Sequence, residues 1–325
     1  MHGNRKILQF VIKCIAIPAA AVFLLYLLNV PYRKIDDEKY MDFWNLRMLG
    51  NQIQLKQIDF ANVGSSHGAY NFDYTVIEER DKTCFNFGHA SQTYAYDLAL
   101  LKEYGEYLDE GCLLFIPVSY FSFNNETVDE TEAEALSVKY YHFLSPQNIP
   151  DYDLYKDIVT TRLPILSAGA DILKLFPNWN LSLKVQAAEG EDSGINVEEF
   201  ASRAMQRYDR HFNNKDNYFL PERIEELYDI LAYCEAHEIT PVLITTPFSQ
   251  YYTDLVSDEF LQEFQGVIEQ IVNDTNVSYY DYSHDERFQS NLAYFSDADH
   301  LNEEGRSYFM EVLMEDVTEL QEALD

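Results

Sequence analysis

Basic side chains are scarce in this chain. Of 325 residues, 23 are Lys or Arg against 55 Asp or Glu, a formal net charge of −32 at pH 7. Nucleic-acid binding needs a basic face that displaces phosphate counterions, so that class of function is excluded. Glycine (12) and proline (10) are also few, which rules out a collagen-like or low-complexity chain. Cysteine is limited to Cys14, Cys84, Cys112 and Cys234. No Cys-x-x-Cys or Cys/His ligand spacing occurs, so no zinc site is expected and the thiols read as reduced and buried. What remains is close to a globular average, 47% hydrophobic and 24% charged, long enough for one or two domains.

The few cations are unevenly placed. Residues 1–35 hold Arg5, Lys6, Lys13, Arg33 and Lys34 and no acid, so the rest of the chain carries all 55 carboxylates. Between those cations lies Ile7–Val30, reading ILQFVIKCIAIPAAAVFLLYLLNV. With Lys13 snorkelling, it is long enough to cross a bilayer, which takes ~20 residues. Arg5 and Lys6 in front of it favour a cytoplasmic N-terminus. A cleaved signal peptide is the competing reading, but Ala19–Ala21 lie inside the apolar run and Asn29-Val-Pro-Tyr32 is a poor cleavage site. Both readings send residues 35–325 out of the cytoplasm. The expected organisation is a tip and transmembrane signal anchor over 1–34 and an extracytoplasmic domain over 35–325.

In that domain, short apolar runs alternate with amphipathic stretches. Strands are expected at 58–63, 84–87, 112–118, 241–246 and 277–282. Helices are expected at roughly 70–80, 91–107, 221–237, 254–273 and 302–322. This βαβα order predicts an α/β fold with a parallel sheet and helices on both faces. About a hundred residues separate the third strand from the helix near Ile224, far beyond the ~2–6 residues usual for such connections. The interval reads as a helical insertion, about 121–218, capping the carboxyl end of the sheet, where open α/β folds bind ligands. Helical stretches fall near 151–161, 164–176 and 197–209, and Gly190–Gly194 reads as its most flexible piece. Asn-x-Ser/Thr sequons begin at Asn125, Asn180, Asn273 and Asn276.

Chemistry-bearing residues fall at the strand ends. Gly64-Ser65-Ser66-His67-Gly68 follows the first strand, and a serine on a strand-to-helix turn is exposed where backbone N–H groups converge. Such a turn is by itself most often just a turn and a helix cap. Asn86-Phe87-Gly88 follows the second strand, with Ser91 as the expected cap of the next helix. Before the final helix stands Phe295-Ser-Asp297-Ala-Asp299-His300-Leu-Asn302-Glu-Glu-Gly305. Asp297, three residues before His300, is spaced to accept the imidazole N–H and leave the other nitrogen as a base; Asp299 is a competing partner. Asn302 suits the N-cap, and Glu303 and Glu304 the first turn. His67 and His89 lie near these pieces and read as structural or substrate-contacting.

Together these pieces resemble the SGNH (GDSL-like) hydrolase superfamily over roughly residues 55–120 and 238–320. The resemblance implies a flavodoxin-like three-layer α/β/α sandwich with a five-stranded parallel sheet. It implies Ser66 as nucleophile, His300 as general base and Asp297 as its orienter. The Ser66 and Gly88 N–H groups would then line the oxyanion hole. The family's Asp before the nucleophile is Ser65 here. Its Gly-x-Asn-Asp block is replaced by Pro117-Val-Ser-Tyr-Phe-Ser-Phe-Asn124-Asn125, leaving Ser119 or Asn124 as the stand-in donor. These departures are similar to a membrane-anchored branch that includes the D-alanyl-lipoteichoic acid biosynthesis and alginate O-acetylation proteins. That likeness implies a bacterial source, an acyl-ester or envelope-polymer substrate, no cofactor or metal, and a multi-spanning membrane acyltransferase as partner. The acidic body disfavours long acidic polymers through repulsion. Two other classes stay open: a non-catalytic envelope scaffold on the same fold, and a phosphate or nucleotide binder. The latter lacks a Gly-rich loop with Lys.

Overall fold

The apolar runs do become strands. The structure, a computed structural model, describes residues 2–39, 57–124, 137–175, 197–212 and 217–324. Gly190–Gly194 and the sequons at Asn125 and Asn180 lie outside them. The chain divides into two units: residues 1–48 with 137–188, and residues 49–136 with 189–325.

The second unit is built on a sheet. In chain order its main elements are β1 (Ile58–Asn62), a short helix Ser66–Asn71, β2 (Cys84–Asn86), a helix Tyr94–Tyr104, β3 (Leu108–Pro117), a helix Val197–Phe212, a helix Pro221–Ala236, β4 (Thr240–Thr245), a helix Asp258–Thr275, β5 (Ser278–Asp281), a helix Glu303–Asp316 and a helix Thr318–Leu324. The strand order is β2-β1-β3-β4-β5, and every pairing is parallel. Helices cover both faces, as the α/β expectation holds. That is why the central strands read as unbroken apolar runs rather than alternating ones. Cys112–Pro117 of β3 and Val242–Thr245 of β4 are buried along their whole length. Burying each Leu or Ile there contributes roughly 1.5–3 kcal/mol. Strand order reverses at β1, so the crevice beyond the carboxyl ends of β1 and β3 is the expected ligand position of such a sheet.

Several local expectations shift. β3 begins four residues before Cys112, because Gly111 at φ +83° makes a bulge that lets Leu108 re-pair with Ile58. The helix expected over 70–80 is two short ones, Ser66–Asn71 and Thr75–Glu78, parted by extended Phe72. Ser91 does not cap the following helix: it sits at φ +57°, and Thr93 is the N-cap. Cys84 is half-buried, whereas Cys112 and Cys234 are buried as expected.

The first unit contains α1 (His2–Lys39), a continuous helix with Pro18 and Pro31 inside it. Its stretch Phe10–Lys34 includes 18 consecutive residues of mean hydropathy 2.4, enough by length and composition to cross a membrane. Helical structure in residues 137–175 is confined to short pieces: one around Lys139–His142, then Leu154–Asp157, Ile158–Arg162, Pro164–Leu166 and Gly169–Leu175. Of the helices expected in the interval after β3, only 197–209 is a long one, extending to Phe212.

Candidate active site

Ser66 owes its position to a tight exit from β1. Gly64 takes φ +111°, and a Cβ there would stand 3.0 Å from the Pro117 ring, so only glycine fits the turn without strain. Its N–H donates to Asp97 Oδ1 at 2.8 Å, and Gln92 donates to the same oxygen at 2.6 Å. Burial pushes the Asp97 carboxyl up to about 7, against the lowering effect of these two donors. Ser66 then opens the helix Ser66–Asn71, whose N-cap residue Ser65 gives no side-chain cap. The first N–H groups of a helix have no intrahelical acceptor, so the Ser66 N–H is a donor position.

His300 arrives from the opposite end of the unit. The loop before the helix Glu303–Asp316 is folded on itself: Asp297 Oδ1 accepts the N–H groups of Asp299 (3.1 Å) and His300 (3.0 Å). Phe295 and Leu301 bridge antiparallel, and Asn302 caps the helix by accepting from Gly305 N–H at 3.0 Å. Three further contacts pin the loop. Leu301 N–H donates to Asn71 Oδ1 at 3.0 Å, tying it to the helix that carries Ser66. Both Ser249 N–H and Oγ–H donate to Ala298 O, at 3.1 and 2.7 Å.

These constraints bring Ser66, His300 and Asp297 into one chain of contacts. His300 Nε2 lies 2.7 Å from Ser66 Oγ, and His300 Nδ1 lies 2.9 Å from both Asp297 oxygens. With the carboxylate on Nδ1–H, Nε2 is the acceptor for the serine proton. Burial lowers the basicity of the His300 imidazole, but Asp299 and Asp297 outweigh it, and its pKa lies above the ordinary histidine value.

The sequence reading missed the support beneath this chain. Asp299 does not compete for the His300 ring; its Oδ1 stands 3.7 Å from Nδ1. Instead it is fully buried and held by both arms of Arg207, Nε and Nη2 each donating at 2.7 Å. Burial raises the Asp299 carboxyl, but His300, His67 and Arg207 hold it well below the usual carboxylate range. His67 is buried as well. Its Nδ1 meets Ser119 Oγ at 2.6 Å and Thr246 Oγ1 at 3.2 Å, and its Nε2 stands 3.5 Å from Asp299 Oδ2. Burial lowers its pKa, so it stays neutral. His67, Asp299 and His300 bring ligand atoms within 4.8 Å of one another. The Arg207 guanidinium already supplies the cation to Asp299, and both His300 nitrogens are engaged, so the donor set fits a guanidinium rather than a metal ion. One signal for this network stood in the sequence: Asp-x-Asp-His places two carboxylates beside one histidine.

The other expected oxyanion donors are placed differently. The Gly88 N–H donates to Asn86 Oδ1 at 2.8 Å. Gly88 is required for another reason, since a Cβ there would lie 2.5 Å from the Gly68 carbonyl carbon, against the helix that carries Ser66. Ser119 N–H donates to Ser122 Oγ at 2.8 Å, and its hydroxyl serves His67. Asn124 is buried and donates to His211 O at 3.1 Å, away from Ser66. Short polar side chains beside buried backbone are taken up by that backbone, and this diverts Asn86 and Asn124. His89 lies just past Gly88, half-buried, its N–H donating to Gly64 O at 2.9 Å.

No protein-family profile matches the chain, and no curated protein matches it. Among solved structures it is similar to a Streptococcus pneumonia protein provisionally described as a platelet activating factor. The identity is 13%, over 91% of this chain and 98% of that one, with a TM-score of 0.41. It is also similar to a Bacteroides fragilis protein provisionally described as an acylhydrolase, at 12% identity, 86% and 96% coverage and a TM-score of 0.41. At such values, the roles of the residues rest on the geometry above.

Proposed function

We infer that this chain is a membrane-anchored, extracytoplasmic serine esterase or O-acyltransferase of the SGNH type. Its substrate class is a cell-envelope carbohydrate or teichoic-type polymer. The observation that carries the reading is the unbroken contact chain Ser66 Oγ–His300 Nε2 and His300 Nδ1–Asp297. In the mechanism, the Ser66 oxygen attacks an ester carbonyl as His300 takes its proton, Asp297 and Asp299 stabilise the imidazolium, and the Ser66 N–H faces the developing oxyanion. His300 then returns the proton to the leaving alkoxide, and an acyl-serine remains. Water or a polymer hydroxyl, deprotonated by His300, releases it. The α1 helix supports the anchor, Arg5 and Lys6 support a cytoplasmic N-terminus, and a multi-spanning acyltransferase is the partner that would deliver the acyl group.

One observation favours a second reading, a non-catalytic scaffold: Gly88, Ser119 and Asn124 all spend their donors inside the fold. Full-length protein in detergent, treated with a fluorophosphonate probe and assayed with p-nitrophenyl acetate, separates the two. The enzyme reading expects labelling of wild type and none of Ser66→Ala or His300→Ala. Labelling with negligible turnover points to a transferase awaiting its acceptor. A folded, unlabelled wild type establishes the scaffold.

A further inference from the structure

The α1 helix is exposed along most of its apolar length, with Phe10, Ile15, Val22 and Phe23 each more than 60% accessible. Its exception is near the end of the apolar run, where Asn29 and Tyr32 are 3% and 2% accessible. What covers them is the pair of turns Pro164–Leu166 and Gly169–Leu175, through Ile165 and Ala168, with Leu28, Ile172 and Leu175 packed alongside. Asn29 fixes the register. Its Nδ2 donates to Arg162 O at 2.8 Å, and its Oδ1 accepts from Ile165 N–H at 3.3 Å.

This docking sets a depth. Leu28–Tyr32 immediately precedes Arg33 and Lys34, so at 1.5 Å per residue the two turns sit within about 8 Å of the point where the apolar run ends. The same turns leave Leu166 (53% accessible) and Leu173 (37%) exposed. Just upstream, Leu154 (62%) and Tyr155 (73%) are exposed too. Among the described residues of this unit outside α1, these four are the large apolar side chains left uncovered. Arg162 and Lys174 lie in the same stretch of chain with side chains 70% and 60% accessible, each paired to an acid of its own segment. Apolar side chains edged by long cations at a helix-end level match the boundary between acyl chains and headgroups.

We propose that the Pro164–Leu175 segment is an interfacial collar: Leu166 and Leu173 insert into the lipid boundary around the end of α1, and Arg162 and Lys174 reach the headgroups. The proposal rests on α1 spanning a membrane, as inferred above. The full-length chain, with Trp44 and Trp179 changed to Phe, tests it. Single tryptophans are introduced as Leu166→Trp, Leu173→Trp, Leu24→Trp within α1 and Glu222→Trp in the other unit. Each variant is reconstituted in phosphatidylcholine/phosphatidylglycerol vesicles whose acyl chains are brominated near the headgroup or near the chain end. Both collar sites are exposed, so an indole there requires no repacking, and circular dichroism checks each fold. The collar variants are expected to lose most of their emission to shallow bromines and less to deep ones, while Leu24→Trp is quenched and Glu222→Trp is not. If Leu24→Trp is quenched and both collar variants behave like Glu222→Trp, the collar is wrong and the anchor stands. An unquenched Leu24→Trp overturns the anchor and the collar with it.

Discussion

His300 is served by two carboxylates in different ways. Asp297 holds Nδ1–H by hydrogen bond, while Asp299 acts through its charge from 3.7 Å. The base must be neutral to accept a proton, so the acid limb of kcat/KM is expected above the usual histidine value of ~6.5. Asp299→Asn removes the larger of the two attractive charges, and a pH profile should show that limb move to lower pH. Ser66→Ala should lower turnover by on the order of 10⁴-fold or more. Asp297→Asn should cost less than the ~10⁴-fold loss usual for a lone orienting carboxylate, because the Asp299 charge remains. Arg207→Met leaves Asp299 buried without its cation. Breaking such a pair costs about 3–5 kcal/mol, readable as a lowered urea midpoint. Asp297 beside His300 was legible from a three-residue spacing, and Ser66 from its strand-to-helix turn and the family likeness; the 2.7 Å contact between Ser66 and His300, 234 residues apart, no local pattern could show. Arg207 was not, since its partner lies 92 residues away and nothing local marks a surface arginine as half of a buried ion pair.

At the scale of elements, legibility followed burial. β3 and β4 announce themselves as apolar runs because both sheet faces are covered. The helices Pro221–Ala236 and Asp258–Thr275 show their period over several turns. The pieces between 154 and 175 are each seven residues or fewer, too short for a period to emerge. The split at Phe72 was hidden for a different reason: it exists because Asn71 turns away to bond Thr246 and Leu301 across the sheet. Gly64 and Gly88 matter to these elements as points of close approach. Gly88→Ala forces a Cβ against backbone that cannot yield, so it should displace the helix Ser66–Asn71. Loss of fluorophosphonate labelling with a lowered Tm is the expected result. The same substitution at Gly111, where a Cβ meets nothing within 4 Å, should leave labelling intact and cost only the strain of its positive φ.

Across the whole molecule, buried titrating groups set how stability responds to pH. Asp97 is the clearest, with its carboxyl raised to about 7 by burial. A group raised on folding binds its proton more tightly in the folded state. Its contribution is complete below the unfolded carboxylate value of ~3.9 and is lost as pH rises through about 7. Neutral His67 and His211, both lowered by burial, act in the opposite sense, so the wild-type profile is a sum. Asp97→Asn isolates one part: the variant keeps an acceptor for Gly64 and Gln92 but carries no charge. Its Tm, followed by calorimetry, should exceed that of wild type above pH 7, with the gain vanishing towards pH 4.

The seat of Asn29 also has a schedule. Its partner Arg162 lies 133 residues further along, so α1 leaves the ribosome long before anything can satisfy that amide. At ~5–20 residues per second of synthesis the wait is roughly 7–27 s. Through that time the helix is an incomplete part, with a polar side chain that has no mate. Removal of α1 would strip Leu28, Asn29 and Tyr32 from a finished fold and leave Ile165 and Ala168 bare. Helix α1 and the late segment are made apart and mature together.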